Sequence, residues 1–393
     1  MYKVYMFPAR FPAKIFELFF KKLEGKGLIF DPFAGSGSLA IASFLQCYES
    51  EVWDINPMIH VIVDASIKLL KGYNVKKALK LVKHAMRYGR PWLPDGAEYW
   101  WPSDALDLLG KVWGFFRENM SVFNEHEMRF SLLDEMWSLY AIIALYASRK
   151  ISYTDDSVPK WYKSKLKVNK MNTLLFKTSP KKLFERYAER KAKTLMSIQK
   201  IVPKPSCNPD ITIRVLDAIA TNNYPENPIG VLTSPPYLQA QEYIRSFRWE
   251  LKLLGVPSET ITNLRKLEIP YREPVDIEIM SKKYHEIHNS IAEEKYRKVL
   301  RSYFTNILLV LERSVSSMKI GVTGIFVGDA TLRGITIPII DIFKEHLTTK
   351  LRLQEIADGE LNDKIRRRRL FKQRKNLNPD GIQVEHLVFL KKP

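Results

Sequence analysis

Two short segments place residue types where they could do chemistry. The first, Asp31-Pro32-Phe33-Ala34-Gly35-Ser36-Gly37-Ser38, begins within the carboxyl end of the apolar run Gly27 to Phe33 and leads into a helical pattern. That puts it at the carboxyl end of a strand, where open α/β sheets bind ligands. Gly35 and Gly37 let the backbone approach a ligand closely and let the next helix start beneath it. GSGSLA also fits the GxGxxA dinucleotide pattern, so the glycines alone leave NAD and other adenosine cofactors both open. No GK[ST] follows, which excludes a Walker loop. Asp54 ends the next apolar run, EVWDI, and is placed for a carboxylate to accept both hydroxyls of a ribose. An adenosine-type cofactor is the expectation.

The second segment, Thr233-Ser234-Pro235-Pro236-Tyr237, follows the strand candidate Ile229 to Thr233. Two prolines fix the backbone, remove two N–H donors and leave carbonyls as acceptors. Such acceptors suit an exocyclic aromatic amine, whose lone pair is delocalised into the base and attacks poorly. Hydrogen bonds from its two N–H groups to the Ser234 hydroxyl and the Pro235 carbonyl would draw the nitrogen toward tetrahedral geometry and aim it at a sulfonium methyl. Tyr237 offers a face for a base taken out of its stack. A lone PPY would read as a plain strand-ending turn; together with the glycine turn it reads as a site.

The pair DPFAGSG and TSPPY resembles the amino-methyltransferases that use S-adenosylmethionine to methylate exocyclic amines of bases in nucleic acid, and the Ser-Pro-Pro-Tyr form resembles the cytosine-N4 type. The resemblance implies cofactor contacts at Asp31, Phe33, Ala34, Gly35, Ser36, Gly37, Asp54 and Thr233. It adds Phe11, Pro12, Ala13 and Lys14 over the methionine end and Asp217, in RVLDA, on the adenine amine. Ser234, Pro235, Pro236 and Tyr237 would be the catalytic residues. Gly328-Asp329-Ala330 with Arg333 and Gly334 resembles a late strand-and-loop element of the same family. S-adenosyl-L-methionine is the implied cofactor, with no metal.

These motifs require a doubly wound scaffold. Glu51 to Ile55, Ile211 to Leu216, Ile229 to Thr233, Gly321 to Val327 and Val384 to Leu390 read as further strands, giving an α/β class with a Rossmann-like class I methyltransferase sheet. Between them the period becomes helical, over Ile67 to Tyr88, Ser103 to Asn119 and Glu125 to Ser148. The expected domains are therefore a catalytic unit over 1–64 and 211–393 and a mostly helical insertion over 65–210, a candidate target-recognition region. Trp92, Trp100, Trp101, Trp113, Phe115, Phe116 and Trp137 read as its core rather than a stacking surface. A long helix is expected from about His285 to Ser317.

The 393 residues carry 62 Lys and Arg against 43 Asp and Glu, a formal charge of +19. With 46% hydrophobic and 12% aromatic residues the chain can bury a full core, so global disorder is excluded. The positive excess suits a polyanion. Lys160, Lys163 and Lys165 lie in a polar connector with aromatics, and Arg366, Arg367, Arg368 and Arg369 belong to a run of eight cations in twelve positions, Lys364 to Lys375. Both segments are candidate nucleic-acid contacts. Tyr243, Arg245 and Arg248 could steer a target strand or pack on the sheet.

DNA and structured RNA such as rRNA stay equally open as the polymer. Adenine-N6 methylation, a non-catalytic binding module on the same fold and an NAD oxidoreductase are the alternatives. Cys47 and Cys207 are far apart and lack CxxC partners, so neither a disulfide nor a zinc site is expected, and neither stands in a Pro-Cys context for C5 chemistry. No membrane span or signal pattern is read, which implies a cytoplasmic protein, with a monomer favoured.

Overall fold

The computed structural model describes residues 4–6, 11–158, 160–238, 243–269, 271–356, 361–363 and 385–393. Apolar runs fall where the sequence places strands, at β1 (Leu28–Asp31), β2 (Glu49–Asp54), β3 (Ile211–Val215), β4 (Gly230–Thr233), β5 (Gly321–Gly328) and β7 (Glu385–Lys392), and the polar, exposed β6 (Gln354–Glu355) adds an edge strand that the sequence does not announce. They join in the order β3-β2-β1-β4-β5-β7-β6. Neighbours from β3 to β5 are parallel, whereas β7 runs antiparallel to both β5 and β6. Leu361–Asp363 adds an antiparallel edge to β7. This is the mostly parallel, Rossmann-like α/β sheet that the sequence implies.

Both faces of the sheet are covered, as parallel sheets require. Phe30, Trp53, Val231, Ile325, Val327, Val388 and Leu390 pack on one face with helices Glu294–Ser316 and Ile339–Leu351. On the other, Phe19 of helix Ala13–Lys22 stacks on Phe389 with ring centroids 6.3 Å apart. The expected single helix from His285 to Ser317 is instead two, Lys282–Ser290 and Glu294–Ser316. The Ser281 side chain caps the first by accepting from the Tyr284 N–H.

The chain divides into two units. The sheet unit holds Ala9–Ile55, Cys207–Glu242 and Lys266–Pro393; the helical unit holds Met1–Pro8, Asn56–Ser206 and Tyr243–Arg265. Beside the expected boundaries at 64 and 211, the sheet unit pauses at Ile55 and resumes at Cys207, and Tyr243–Arg265 belongs to the helical unit. The physical reason is burial: Trp249, Leu251, Leu253 and Leu254 of that segment are buried in the helical unit, where Trp249 lies against Trp100, Trp101 and Trp161.

Within the helical unit, Ser103–Asn119 is a helix with the expected bounds. The reading of Ile67 to Tyr88 as one helix is corrected to Met58–Leu70 and Val75–Tyr88. Gly72, at φ 84°, ends the first, and the Asn74 side chain caps the second. Glu125 to Ser148 is likewise not all helix. Ser121–Asn124 and Arg129–Leu132 form a hairpin before helix Trp137–Lys150, because Asn124 accepts from the His126 and Glu127 N–H groups and closes a turn. Trp101, Trp113, Phe116 and Trp137 are fully buried. Among the described residues no helix is long and apolar enough to cross a membrane.

The cysteine reading is overturned. Cys47 and Cys207 form a disulfide with Cα atoms 5.8 Å apart, although 160 positions separate them. Spacing along the chain misled because β3 returns beside β2 in the register Ser50↔Ile211. The residues just ahead of both strands are thereby brought together.

Candidate active site

The glycine turn leaves β1 at Asp31 and enters helix Ser38–Leu45 through two left-handed residues, Gly35 at φ 53° and Gly37 at φ 67°. A side chain at either position would be strained. The Ala34 N–H bonds the Trp53 carbonyl at 2.9 Å, which ties the turn to β2. Asp54, at the end of β2, accepts the Gly35 N–H through Oδ2 at 2.8 Å. The predicted ribose acid therefore also braces the glycine turn.

Asp31 is fully buried. Its Oδ1 accepts from the Thr233 hydroxyl at 2.6 Å and from the Phe33 N–H at 3.0 Å. Its Oδ2 is buried with no hydrogen-bond partner among the described residues. Burial pushes the carboxyl up to about 7; the bonds from Thr233 and Phe33 pull the other way, and the charge of Asp54 adds to the rise. Thr233 thus joins the two motifs directly, across the neighbouring strands β1 and β4.

Asp217 follows β3, beside the end of β2, since the Leu216 N–H bonds the Asp54 carbonyl at 3.1 Å. Arg272 Nη1 reaches both of its carboxylate oxygens at 2.9 Å, and Oδ1 also accepts the Ile219 N–H. In the strand order β3-β2-β1-β4, Asp217, Asp54, Asp31 and Thr233 therefore line one carboxyl edge. Phe11 is buried and packs its ring on Phe16 and Phe326, while Pro12 precedes helix Ala13–Lys22, on which Ala13 and Lys14 are exposed. Ser36 is buried and its hydroxyl meets that of Ser38 at 2.8 Å. Phe33 is half-buried and Ala34 buried.

Beyond β4, Ser234 and Pro236 are half-buried and Pro235 is buried. Tyr237 is only 8% exposed, and its hydroxyl donates to Glu385 Oε1 at 2.5 Å. Asp329, after β5, pairs with His386 at 3.0 Å, and Arg333-Gly334 forms the positive-φ turn of the hairpin Ala330–Leu332 with Ile335–Ile337. Sequence reasoning missed Arg272, Glu385 and His386. Nothing in their local context marks them, because each acquires its partner only through the tertiary fold.

The candidate nucleic-acid residues of the helical unit differ in availability. Lys160 and Lys165 are exposed, whereas Lys163 Nζ bonds the Tyr99 carbonyl at 3.0 Å and lies over the Tyr99 ring at 4.3 Å and the Tyr153 ring at 4.9 Å. From Ser157 to Phe184 the sequence has eight lysines and no acidic residue. Helix Lys165–Lys177, inside that tract, buries only Lys167 and Met171 and leaves Phe176 93% exposed. Arg245 and Arg248 are exposed in the helical unit, and Tyr243 is half-buried there. Arg366, Arg367, Arg368 and Arg369 lie outside the described residues.

No protein-family model matches the chain. It is 24% identical over 261 residues to the type II methyltransferase M.BsoBI of Geobacillus stearothermophilus, an alignment covering 61% of this chain and 50% of that protein. The chain thus spans about half the length of the curated relative it matches. Among solved structures it is similar to the rRNA methyltransferase aviRa from Streptomyces viridochromogenes, at 12% identity over 98% of this chain and 86% of that one, with a TM-score of 0.29.

Proposed function

We propose that this chain is an S-adenosylmethionine-dependent methyltransferase that modifies the exocyclic N4 amine of a cytosine in nucleic acid. The observation that carries the reading is the Thr233–Asp31 hydrogen bond, which locks the glycine turn to the strand feeding Ser-Pro-Pro-Tyr. A cofactor turn and an amine-accepting turn are thereby held on adjacent strands of one edge. The likeness to a type II methyltransferase supports the same class.

The residues fit the cofactor. A buried carboxylate with an unpartnered oxygen at Asp31 suits an ammonium group, and left-handed glycines leave room against the backbone. Asp54 suits a ribose. Asp217 can serve the adenine amine while held by Arg272, because two carboxylate oxygens offer about four acceptor sites. When bound, the cofactor supplies an electrophilic sulfonium methyl.

The chain's own part is orientation. The Ser234 hydroxyl and the Pro235 carbonyl accept the two N–H groups of the target amine, which localises its lone pair toward the methyl carbon. Pro236 stiffens the turn, and Tyr237 forms a fixed wall beside it. With the cofactor bound, its sulfonium methyl would be the group that the aligned nitrogen takes, and solvent would accept the surplus amine proton. Lys160, Lys165 and the 366–369 arginines would hold the phosphate backbone.

Transfer of labelled methyl to total DNA and total RNA in parallel, followed by nucleoside analysis, tests this. The expected product is N4-methylcytosine in one of the two polymers. Label in neither overturns the activity, and N6-methyladenine would replace the base while keeping the chemistry.

A further inference from the structure

Strand β7 runs opposite to its neighbours, so its first residues, rather than its last, lie at the carboxyl edge that carries the site. Glu385 stands opposite Gly328 and His386 opposite Val327. Successive strand side chains leave opposite faces, and here each takes a different loop. His386 holds Asp329, in the loop after β5, at 3.0 Å. Glu385 reaches past β5 to the loop after β4 and accepts the Tyr237 hydroxyl at 2.5 Å, with the two side chains 7% and 8% exposed. The residue that Glu385 must pass is a glycine, so no side chain of β5 blocks the way.

We infer that Glu385 is a positioning residue that fixes the Tyr237 ring beside the target base; the inference rests on the function proposed above. A tyrosine wall held only by apolar packing can rock about its side-chain torsions. A buried hydrogen bond to a carboxyl oxygen pins the far end of the ring before any base arrives, which is pre-organisation. Glu385 touches neither substrate nor cofactor in this account and acts through the tyrosine hydroxyl.

Steady-state kinetics of Tyr237→Phe, Glu385→Leu, the double variant and Glu385→Gln test the assignment. Each of the first two is expected to lower kcat/KM for the polymer by about tenfold, a change of roughly 1.4 kcal/mol, with cofactor affinity unchanged. The double variant should be no worse than the worse single one, and Glu385→Gln, which keeps an acceptor, should lose less. Gly328→Val, which fills the path, should mimic Glu385→Leu. Independent, multiplying losses, or a Glu385→Leu enzyme with wild-type kcat/KM, would overturn the inference. A wild-type protein that transfers no methyl group would instead sink the functional reading. The same cycle is then read in thermal unfolding, where sub-additive shifts in Tm support the Glu385–Tyr237 link and additive shifts overturn it.

Discussion

Asp31 links stability to pH in a definite direction. Its carboxyl lies at about 7 in the fold against an ordinary value near 3.8. Between these values the folded chain holds a proton that the unfolded chain has released, so stability is greatest at the acid end of the window and falls as pH rises through 7. Unfolding followed from pH 5 to 8 should show this decline, and Asp31→Asn should flatten it; an Asn variant with the full decline would assign the effect elsewhere. Cofactor binding should run the other way, since an ammonium group needs the ionised form. Affinity in a calorimetric titration should weaken below pH 7 in the wild type, and Asp31→Asn should bind poorly and without that pH dependence. Asp31 thus trades stability of the free chain for a charged partner. At the same scale, Ser234→Ala is expected to lose turnover by on the order of a hundredfold with cofactor affinity intact, and full turnover would remove Ser234 from the amine-holding role.

At the scale of elements, helix Lys165–Lys177 carries three exposed lysines, at 165, 170 and 177, and no acidic residue. Each lysine that neutralises a phosphate contributes about 0.7 to 0.9 to the slope of log affinity against log salt. Replacing Lys160, Lys165, Lys170 and Lys177 by Ala should flatten that slope by two to four in fluorescence anisotropy with labelled nucleic acid. An unchanged slope would place backbone contact on other residues. The elements differ in how well the sequence announces them. β1, β4 and β5 were legible because buried parallel strands are continuous apolar runs, and Ser103–Asn119 because Pro102 starts it and its apolar period is clean. The hairpin at Ser121–Leu132 was hidden, since its short strands are stopped by an Asn124 turn that periodicity does not register. The motifs likewise displayed Asp31, Asp54 and Ser234 by type and order. What they did not display was the use of each side chain: Asp54 on Gly35, Thr233 on Asp31, Arg272 on Asp217. Those depend on which strands become neighbours.

At the scale of the whole chain, the disulfide closes a loop that contains β2 and all of Asn56–Ser206. In the chain-entropy account a loop of that length restrains the unfolded state by roughly 5 kcal/mol. Reduction, or Cys47→Ser with Cys207→Ser, should therefore lower Tm by many degrees while leaving the site residues in place, and a thiol titration of the unfolded, unreduced protein should find no free thiol. A Tm indifferent to reductant would show that the link adds no stability. The sheet unit also resumes at Cys207 beside the strand it left, which suggests a cassette that could be lifted out.

The division of the chain says otherwise, because Tyr243–Arg265 makes a second excursion into the helical unit. Joining Ile55 to Cys207 would remove the crossover that the parallel pairing of β2 with β3 requires, and it would expose Trp249, Leu251, Leu253 and Leu254, now buried. A transplant of Asn56–Ser206 into another scaffold would lack the same side chains. The exchangeable part, in evolution or in the laboratory, is thus a matched pair of segments that must travel together, and a chimera carrying one without the other should aggregate.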